Sequence, residues 1–254
     1  SRGLRKSPEY YPGPANAGAP SYSYENGSLS VQDVFTASPR TVWTLRAATA
    51  YGATTSFEQD DSQNYPQQLG LNGVFAGYFP RLTFSNGYLS IGPGTPVFRD
   101  RSYNYNGSVA VSINRKAHTF QLSGLARRSF VNSLSPSFPS GWFSFSGSTT
   151  ALPGVSNTGS AFASFLLGMV SRAEEGVVLH PSYYSKNFFD STFSDQWRVR
   201  PGVSLFGSLS FEVATPRVEK YDRQSTVALD HTNPGNGKPG ALIFAARDGI
   251  GRGL

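Results

Sequence analysis

Cysteine is missing from all 254 residues, which removes disulfide scaffolds, thiolate metal sites and cysteine nucleophiles. Charge is scarce as well: Asp, Glu, Lys and Arg make up 15% of the chain, against roughly 25% in soluble domains. The formal net charge is +6, yet the cations form no dense run, and Arg115–Lys116 and Arg127–Arg128 are isolated pairs. A nucleic-acid binder concentrates its charge in one stripe, so no nucleic-acid partner is expected. Long apolar runs are lacking too. The longest, Ala161–Val170, reaches about half of the ~18 residues a membrane-crossing helix needs, which excludes a helical membrane protein.

Signatures of catalysis are equally absent. His118, His180 and His231 are far apart, without the HExxH spacing of a zinc site. No GxSxG elbow or P-loop occurs, and the glycine run Gly249–Gly253 follows no βαβ unit, so it reads as a flexible terminus. Asn26-Gly-Ser28 and Asn106-Gly-Ser108 match the glycosylation acceptor pattern but read as Gly-Ser punctuation in a strand or turn. Asp60–Asp61 and Glu174–Glu175 could hold a cation together with loop carbonyls, although paired acids in loops are ordinarily solvated. The expectation is a protein that is not an enzyme, without metal or cofactor.

Aromatic residues are abundant, with 19 Phe and 13 Tyr, alongside 27 Gly and 17 Pro. Aromatics favour pleated sheets while Gly and Pro weaken helices. The stretch Asn187–Pro216 shows the consequence. Phe189, Ser191, Phe193 and Trp197 fall on one face at period two, with Asp190, Thr192, Ser194, Gln196 and Arg198 on the other. After a turn at Val199–Gly202, Val203, Leu205, Gly207, Leu209, Phe211 and Val213 alternate with Ser204, Phe206, Ser208, Ser210 and Glu212. Period two means extended strands, and the Arg-Pro-Gly turn joins them into a hairpin. Each strand has about 10 or more residues, enough to cross a bilayer at a tilt.

Two more hairpins are built alike. Leu29, Val31 and Phe35 alternate with polar residues, the chain turns at Ser38–Arg40, and Trp43, Leu45, Ala47, Thr49 and Tyr51 return. Tyr103, Tyr105, Gly107, Val109, Val111 and Ile113 alternate with Asn104, Asn106, Ser108, Ala110, Ser112 and Asn114. A turn at Arg115–Ala117 then leads to Phe120, Leu122, Gly124 and Ala126 opposite Gln121, Ser123 and Arg127. The expected fold is all-β: an antiparallel transmembrane β-barrel segment of about six long strands in three hairpins, a partial barrel. Its strands fall at about 27–55, 103–130 and 182–214 and its long extracellular loops at about 56–102, 131–181 and 215–254. A soluble sandwich rarely needs three such excursions.

Two details support that orientation. An Asp and then an aromatic precede the turn proline at the same spacing in Asp33, Phe35, Pro39 and in Asp195, Trp197, Pro201. Phe35, Trp43 and Trp197 are then interfacial aromatics of the membrane girdle, and the two acids lie where charge costs little. Asn104, Asn106, Gln121, Arg127, Asp190, Gln196 and Glu212 are expected to face the lumen. The segment Thr158–Val170 breaks the pattern. A short helix is expected there, capped by Thr158 or Ser160, with Phe162, Phe165, Leu166 and Met169 on one face.

Three stretches resemble the barrel of TonB-dependent outer-membrane receptors, in particular the Oar-like group with a carboxypeptidase-regulatory-like domain. Gly159–Gly168 (GSAFASFLLG) is similar to that group's GNAFASFLLG. Phe193–Pro201 (FSDQWRVRP) is similar to VQDDWRVTP, with Gln196 replacing the second Asp. Ser204–Pro216 (SLFGSLSFEVATP) is similar to TLNLGLRYEYxxP, with Ser208 and Ser210 where the family has Gly and Arg. Asn233–Phe244 and Tyr78–Leu89 fit the accompanying loops. The resemblance covers roughly residues 25–250 and implies substrate uptake or surface interaction without catalysis in the outer membrane of a bacterial cell. Its implied partners are outer-membrane lipid and the TonB energy-coupling complex, reached through a plug. No plug or coupling box is recognisable ahead of the strands, so the chain is expected to be a partial barrel, since six strands cannot close a barrel of about 22. The alternatives are a passive porin and a secreted or surface carbohydrate-binding sheet using Trp142 and Phe143. A sandwich would bury Val109, Val111, Leu205 and Leu209 against a second sheet; a barrel leaves them open.

Overall fold

A computed structural model describes residues 1–6, 10–16, 21–56, 61–74, 76–85, 87–94, 97–155, 157–178, 180–247 and 249–253; Asp60 lies outside them. The strands are β1 (Arg2–Arg5), β2 (Tyr22–Ser38), β3 (Thr41–Ser56), β4 (Arg81–Phe84), β5 (Arg99–Arg115), β6 (His118–Leu134), β7 (Trp142–Phe145), β8 (Arg172–Glu174), β9 (Ser182–Arg200), β10 (Val203–Ala214), β11 (Val218–Glu219), β12 (Ser225–Thr232) and β13 (Pro239–Phe244). The two α-helices are α1 (Tyr65–Gln68) and α2 (Ala161–Leu166). An eight-stranded sheet runs β1-β2-β3-β5-β6-β9-β10, with β11 pairing the end of β9 beyond β10. Among the described residues the sheet does not close on itself.

Three tight turns make the hairpins. Pro39–Arg40 joins β2 to β3, and Lys116–Ala117 joins β5 to β6 with Lys116 in the left-handed region at φ 56. Pro201–Gly202 joins β9 to β10: proline presets φ at the first turn position and Gly202 takes φ 79 at the second. Val203 pairs with Arg200 but Ser204 with Arg198, so Val199 is bulged out just before the turn. Beyond it Leu205 faces Trp197, Leu209 faces Phe193 and Val213 faces Phe189, while Phe206 faces Gln196 and Glu212 faces Asp190. Directly opposed residues share a face, so the alternation survives pairing intact.

The described residues fall into two compact units, residues 26–52, 101–132 and 182–254 forming one and residues 1–25, 53–100 and 133–181 the other. The first holds the bodies of the long strands and the β12–β13 hairpin. In the second, β1 pairs antiparallel with the start of β2, and a small sheet β4-β7-β8 forms, with β4 and β7 parallel. The segments expected to be irregular therefore contain strands of their own, short ones that leave little periodicity to read.

Inside the second unit the rings of Phe84 and Phe145 stack at 5.7 Å, and Phe165 of α2 meets them edge-on at 5.5 and 5.2 Å. Ser160 caps α2, its Oγ accepting from Ala163 N at 3.4 Å. Of the residues expected on one face of this segment, Leu166 is 70% exposed, and Phe162 and Met169 are exposed as well. The helix instead buries Ala161 and Ser164 completely. Ser164 Oγ donates to Ser146 O at 2.8 Å and accepts from Thr149 Oγ1 at 2.6 Å, so a hydroxyl network, not a leucine stripe, seats the helix. Gly159, at φ +89, permits that seat because a Cβ there would collide with the Gly147 carbonyl oxygen.

Candidate functional site

Side chains alternate across a strand, and in the first unit this separates two surfaces of opposite character. On the polar surface Arg127 Nε donates to Asn106 Oδ1 at 2.8 Å, Ser129 Oγ to Asn104 Oδ1 at 2.7 Å and Thr119 Oγ1 to Asn114 Oδ1 at 2.9 Å. These three pairs set β5 against β6 in one unbroken register. Thr192 and Ser210 share a hydroxyl hydrogen bond of 2.9 Å on the same surface.

Two depressions lie along it. One, of about 240 Å³, is lined by Arg46, Ala48, Asn106, Ser108, Leu125 and Arg127. The other, of about 270 Å³, is lined by Thr44, Ala110, Ser112, Gln121, Ser123, Thr192 and Ser194 among others. Small side chains on neighbouring strands create both hollows. Asp190 and Glu212 sit directly opposite each other on β9 and β10. Arg127 does not pair with either; it is held by Asn106 and lays its guanidinium over the Phe188 ring at 5.6 Å. The surface thus carries guanidiniums and amides on one stretch and a carboxylate pair on another. That suits hydrogen-bonded or charged solutes.

Asn104, Asn106, Gln121, Arg127, Asp190, Gln196 and Glu212 all lie on this one surface. Phe206 lies on this surface opposite Gln196, where the alternation of β10 places it. Arg46 and Phe188 join it; Arg46 follows Thr44 in the alternation of β3, whereas Phe188 is hidden because apolar residues are expected on the other side.

The opposite surface is apolar and open. Leu205 is 55% exposed, Leu209 75%, Phe211 65% and Phe189 47%. Val109 is also exposed; Val111 is buried at 7%. Phe35, Trp43 and Trp197 all lie on this side, exposed and close to the turns. Near the β5–β6 and β9–β10 turns the His118 ring stacks on Phe120 at 5.3 Å and Trp197 at 5.4 Å, and its Nδ1 lies 2.7 Å from Asp195 Oδ2. That pair places the acid that interrupts the apolar row. Asp195 Oδ1 is buried without a partner.

Beyond the end of β10, the chain closes into a clasp around Glu219, whose side chain is 1% exposed. Its Oε1 accepts from Tyr183 N (3.2 Å) and Arg223 Nη2 (2.6 Å), and its Oε2 from Tyr221 N (2.8 Å) and Arg223 N (3.0 Å). Burial alone would raise its pKa, but the Arg223 side chain and the three backbone N–H donors outweigh this and lower it to about 2. Arg252 ties the clasp down through Asp222 Oδ1 at 2.6 Å. The sequence reading passed over this cluster, for Glu219, Arg223 and Arg252 are joined only by a fold-back.

Trp142 and Phe143 are half-buried. Trp142 Nε1 donates to Thr83 Oγ1 at 2.7 Å, and its ring lies between Phe138 and the Arg172 guanidinium at 5.2 and 5.1 Å. An indole engaged in this way is no open platform for a sugar. Among the described residues no cluster of His, Asp or Glu could hold a metal ion, and no helix is long and apolar enough to cross a membrane.

A family model described as an outer membrane beta barrel domain matches residues 1–254. Neither the curated proteins nor the solved structures contain a match.

Proposed function

The chain belongs to the outer membrane beta barrel domain family, and from the stretches that resemble TonB-dependent receptors we propose that it is wall and loops of a TonB-dependent, Oar-like receptor for substrate uptake or surface interaction. As a member of the family the protein resides in the bacterial outer membrane, and its fold is a transmembrane antiparallel sheet open at both sides. The observation that carries the reading is the apolar surface formed by Phe189, Phe193, Leu205, Leu209 and Phe211, all between 47% and 75% exposed. Bilayer hydrocarbon covers such a surface; water does not.

The edge of β2 beyond the stretch that β1 pairs, residues 26–38, and the outer edge of β10 take up further barrel strands, because no backbone group stays unsatisfied in lipid. The short turns Pro39–Arg40, Lys116–Ala117 and Pro201–Gly202 face the periplasm and the longer connections face outward. The polar surface with Asn104, Asn106, Gln121, Arg127, Asp190, Gln196 and Glu212 lines the lumen, and solutes are held there by hydrogen bonds without a chemical step. The stretches Gly159–Gly168, Phe193–Pro201 and Ser204–Pro216 favour the TonB-dependent reading over the porin. The barrel then works with the TonB energy-coupling complex, through a plug.

The experiment uses the full-length protein purified from outer membranes. A TonB-dependent receptor binds the C-terminal domain of TonB in solution and stays electrically closed in a planar bilayer. A steady open conductance without TonB binding means a passive porin instead.

A further inference from the structure

The three short turns gather Arg40, Arg115, Lys116 and Arg200, all exposed; Arg198, opposite Ser204, stands on the polar side instead. Backbone hydrogen bonds splice those turns into one continuous rim: Asn114 N donates to Arg40 O at 2.8 Å and Arg198 N to Ala117 O at 2.7 Å. Among the described residues none of these four side chains is engaged by a carboxylate, whereas Arg2, Arg172 and Arg252 elsewhere hold Glu25, Glu174 and Asp222 at 2.6 to 2.7 Å. The acid closest in sequence to this rim, Asp195, is occupied by His118. Just above the turns Trp43 and Trp197 lie on the apolar surface, 39% and 41% exposed, the placement of rings at headgroup depth. Arg115 follows Ile113 in the alternation and so stands on the apolar side, where its stem can lie along hydrocarbon while the guanidinium reaches outward.

We propose that this rim binds the phosphate groups of anionic phospholipids in the leaflet the turns enter, and thereby fixes the depth of the wall in the bilayer. The proposal rests on the reading that the strands cross the membrane with these turns at one face. A lipid bilayer is the fitting partner because the unpaired cations follow the line of the turns and adjoin a row of interfacial aromatics. A soluble anion would need convergent donors, and the rim offers none converging on a point. Each basic group near an anionic leaflet is worth roughly a fivefold preference before competition and screening.

The test reconstitutes the full-length protein in vesicles of phosphatidylcholine containing trace spin-labelled phosphatidylglycerol or spin-labelled phosphatidylcholine. The motionally restricted fraction of each label reports selectivity at the protein surface. Wild-type protein is expected to prefer phosphatidylglycerol by about threefold or more at low salt, and to lose that preference at 1 M salt, where screening acts over about 3 Å. Replacing these four residues by Gln is expected to bring the ratio to about one. Arg115→Gln/Lys116→Gln, confined to a single exposed turn, gives a partial drop and carries the test if the quadruple variant does not fold. No preference in wild-type protein, or the same preference in the variants, overturns the proposal. Orientation is read separately, by labelling Ala117→Cys in intact cells with an impermeant maleimide. Labelling there would reverse the assignment of the turns to the periplasm and leave the selectivity in symmetric vesicles standing.

Discussion

Replacing Glu219 by Gln is predicted to open the clasp beyond β10 while leaving the sheet intact. The carboxylate accepts four hydrogen bonds, two at each oxygen, and its side chain is 1% exposed. Gln keeps one accepting oxygen. Its NH2 group must then face two donors, either Tyr221 N with Arg223 N or Tyr183 N with the Arg223 guanidinium. Hydrogen bonds to a charged acceptor contribute about 1.5–3 kcal/mol each, so losing two, with partial relief from water entering the opened site, costs about 3 kcal/mol locally. That energy falls on local opening and not on the barrel, because segments at a sheet rim exchange independently of its centre.

Hydrogen exchange of the full-length protein in micelles at neutral pH is the assay. Protection of amides in 218–224 should fall about a hundredfold, with strands β5 and β6 unchanged. Protection within threefold of wild type in 218–224 would refute the argument. The pH dependence has a definite sign: a carboxyl lowered from 4.5 to about 2 contributes stability that is full above 4.5 and is lost as pH falls toward about 2. Clasp protection corrected for intrinsic exchange should therefore hold at pH 5 and decay through that window, whereas Glu219→Gln should show no such decay.

Leu209→Arg, on the open apolar surface, should cost about 2–4 kcal/mol in urea unfolding from bilayers, while Ser210→Arg on the polar surface should cost under about 1; equal costs would contradict the assigned faces. His118→Phe leaves the Asp195 carboxylate without its partner and should destabilise by about 1–3 kcal/mol. His118→Phe/Asp195→Leu should recover most of that loss, as apolar replacement of both members of a pair commonly does, and a double variant worse than the single would contradict it. Ser164→Val buries a methyl group where the hydroxyl bonded Ser146 and Thr149, at about 2 kcal/mol or more. Limited proteolysis should then cut residues 146–170 faster, and an unchanged cleavage rate would count against the hydroxyl network.

The long strands were legible because alternation over a dozen or more residues has few other physical causes. Residues 188–214 show it best: the faces read from period two are the faces that pairing of Leu209 with Phe193 and Glu212 with Asp190 imposes. The strands ran further than read in the first two hairpins, to Tyr22 and Ser56 and to Arg99 and Leu134, where polar loop composition blurs the signal. The loop unit was not legible. Its strands β4, β7 and β8 have four residues or fewer, too short for a period, and two of them pair in parallel across a long sequence gap. The apolar face of α2 is readable from its spacing, but the serine that is buried there depends on hydroxyl partners contributed by residues 146–150. Glu219 was missed for the same reason: its partners lie at Tyr183 and Arg223, and only the fold brings the first of them within reach.

The central claim is that one surface of the β9–β10 hairpin meets lipid and the other meets water. With no native cysteine, single nitroxide labels can be placed at each position from 203 to 213 in the full-length protein in bilayers. Collision with oxygen and with a water-soluble nickel complex should alternate with period two. Labels at Leu205, Gly207, Leu209 and Phe211 should be open to oxygen, and those at Phe206, Ser208, Ser210 and Glu212 open to nickel. Labels at the first set open to nickel, or shielded from both reagents as beneath a second sheet, would contradict the account.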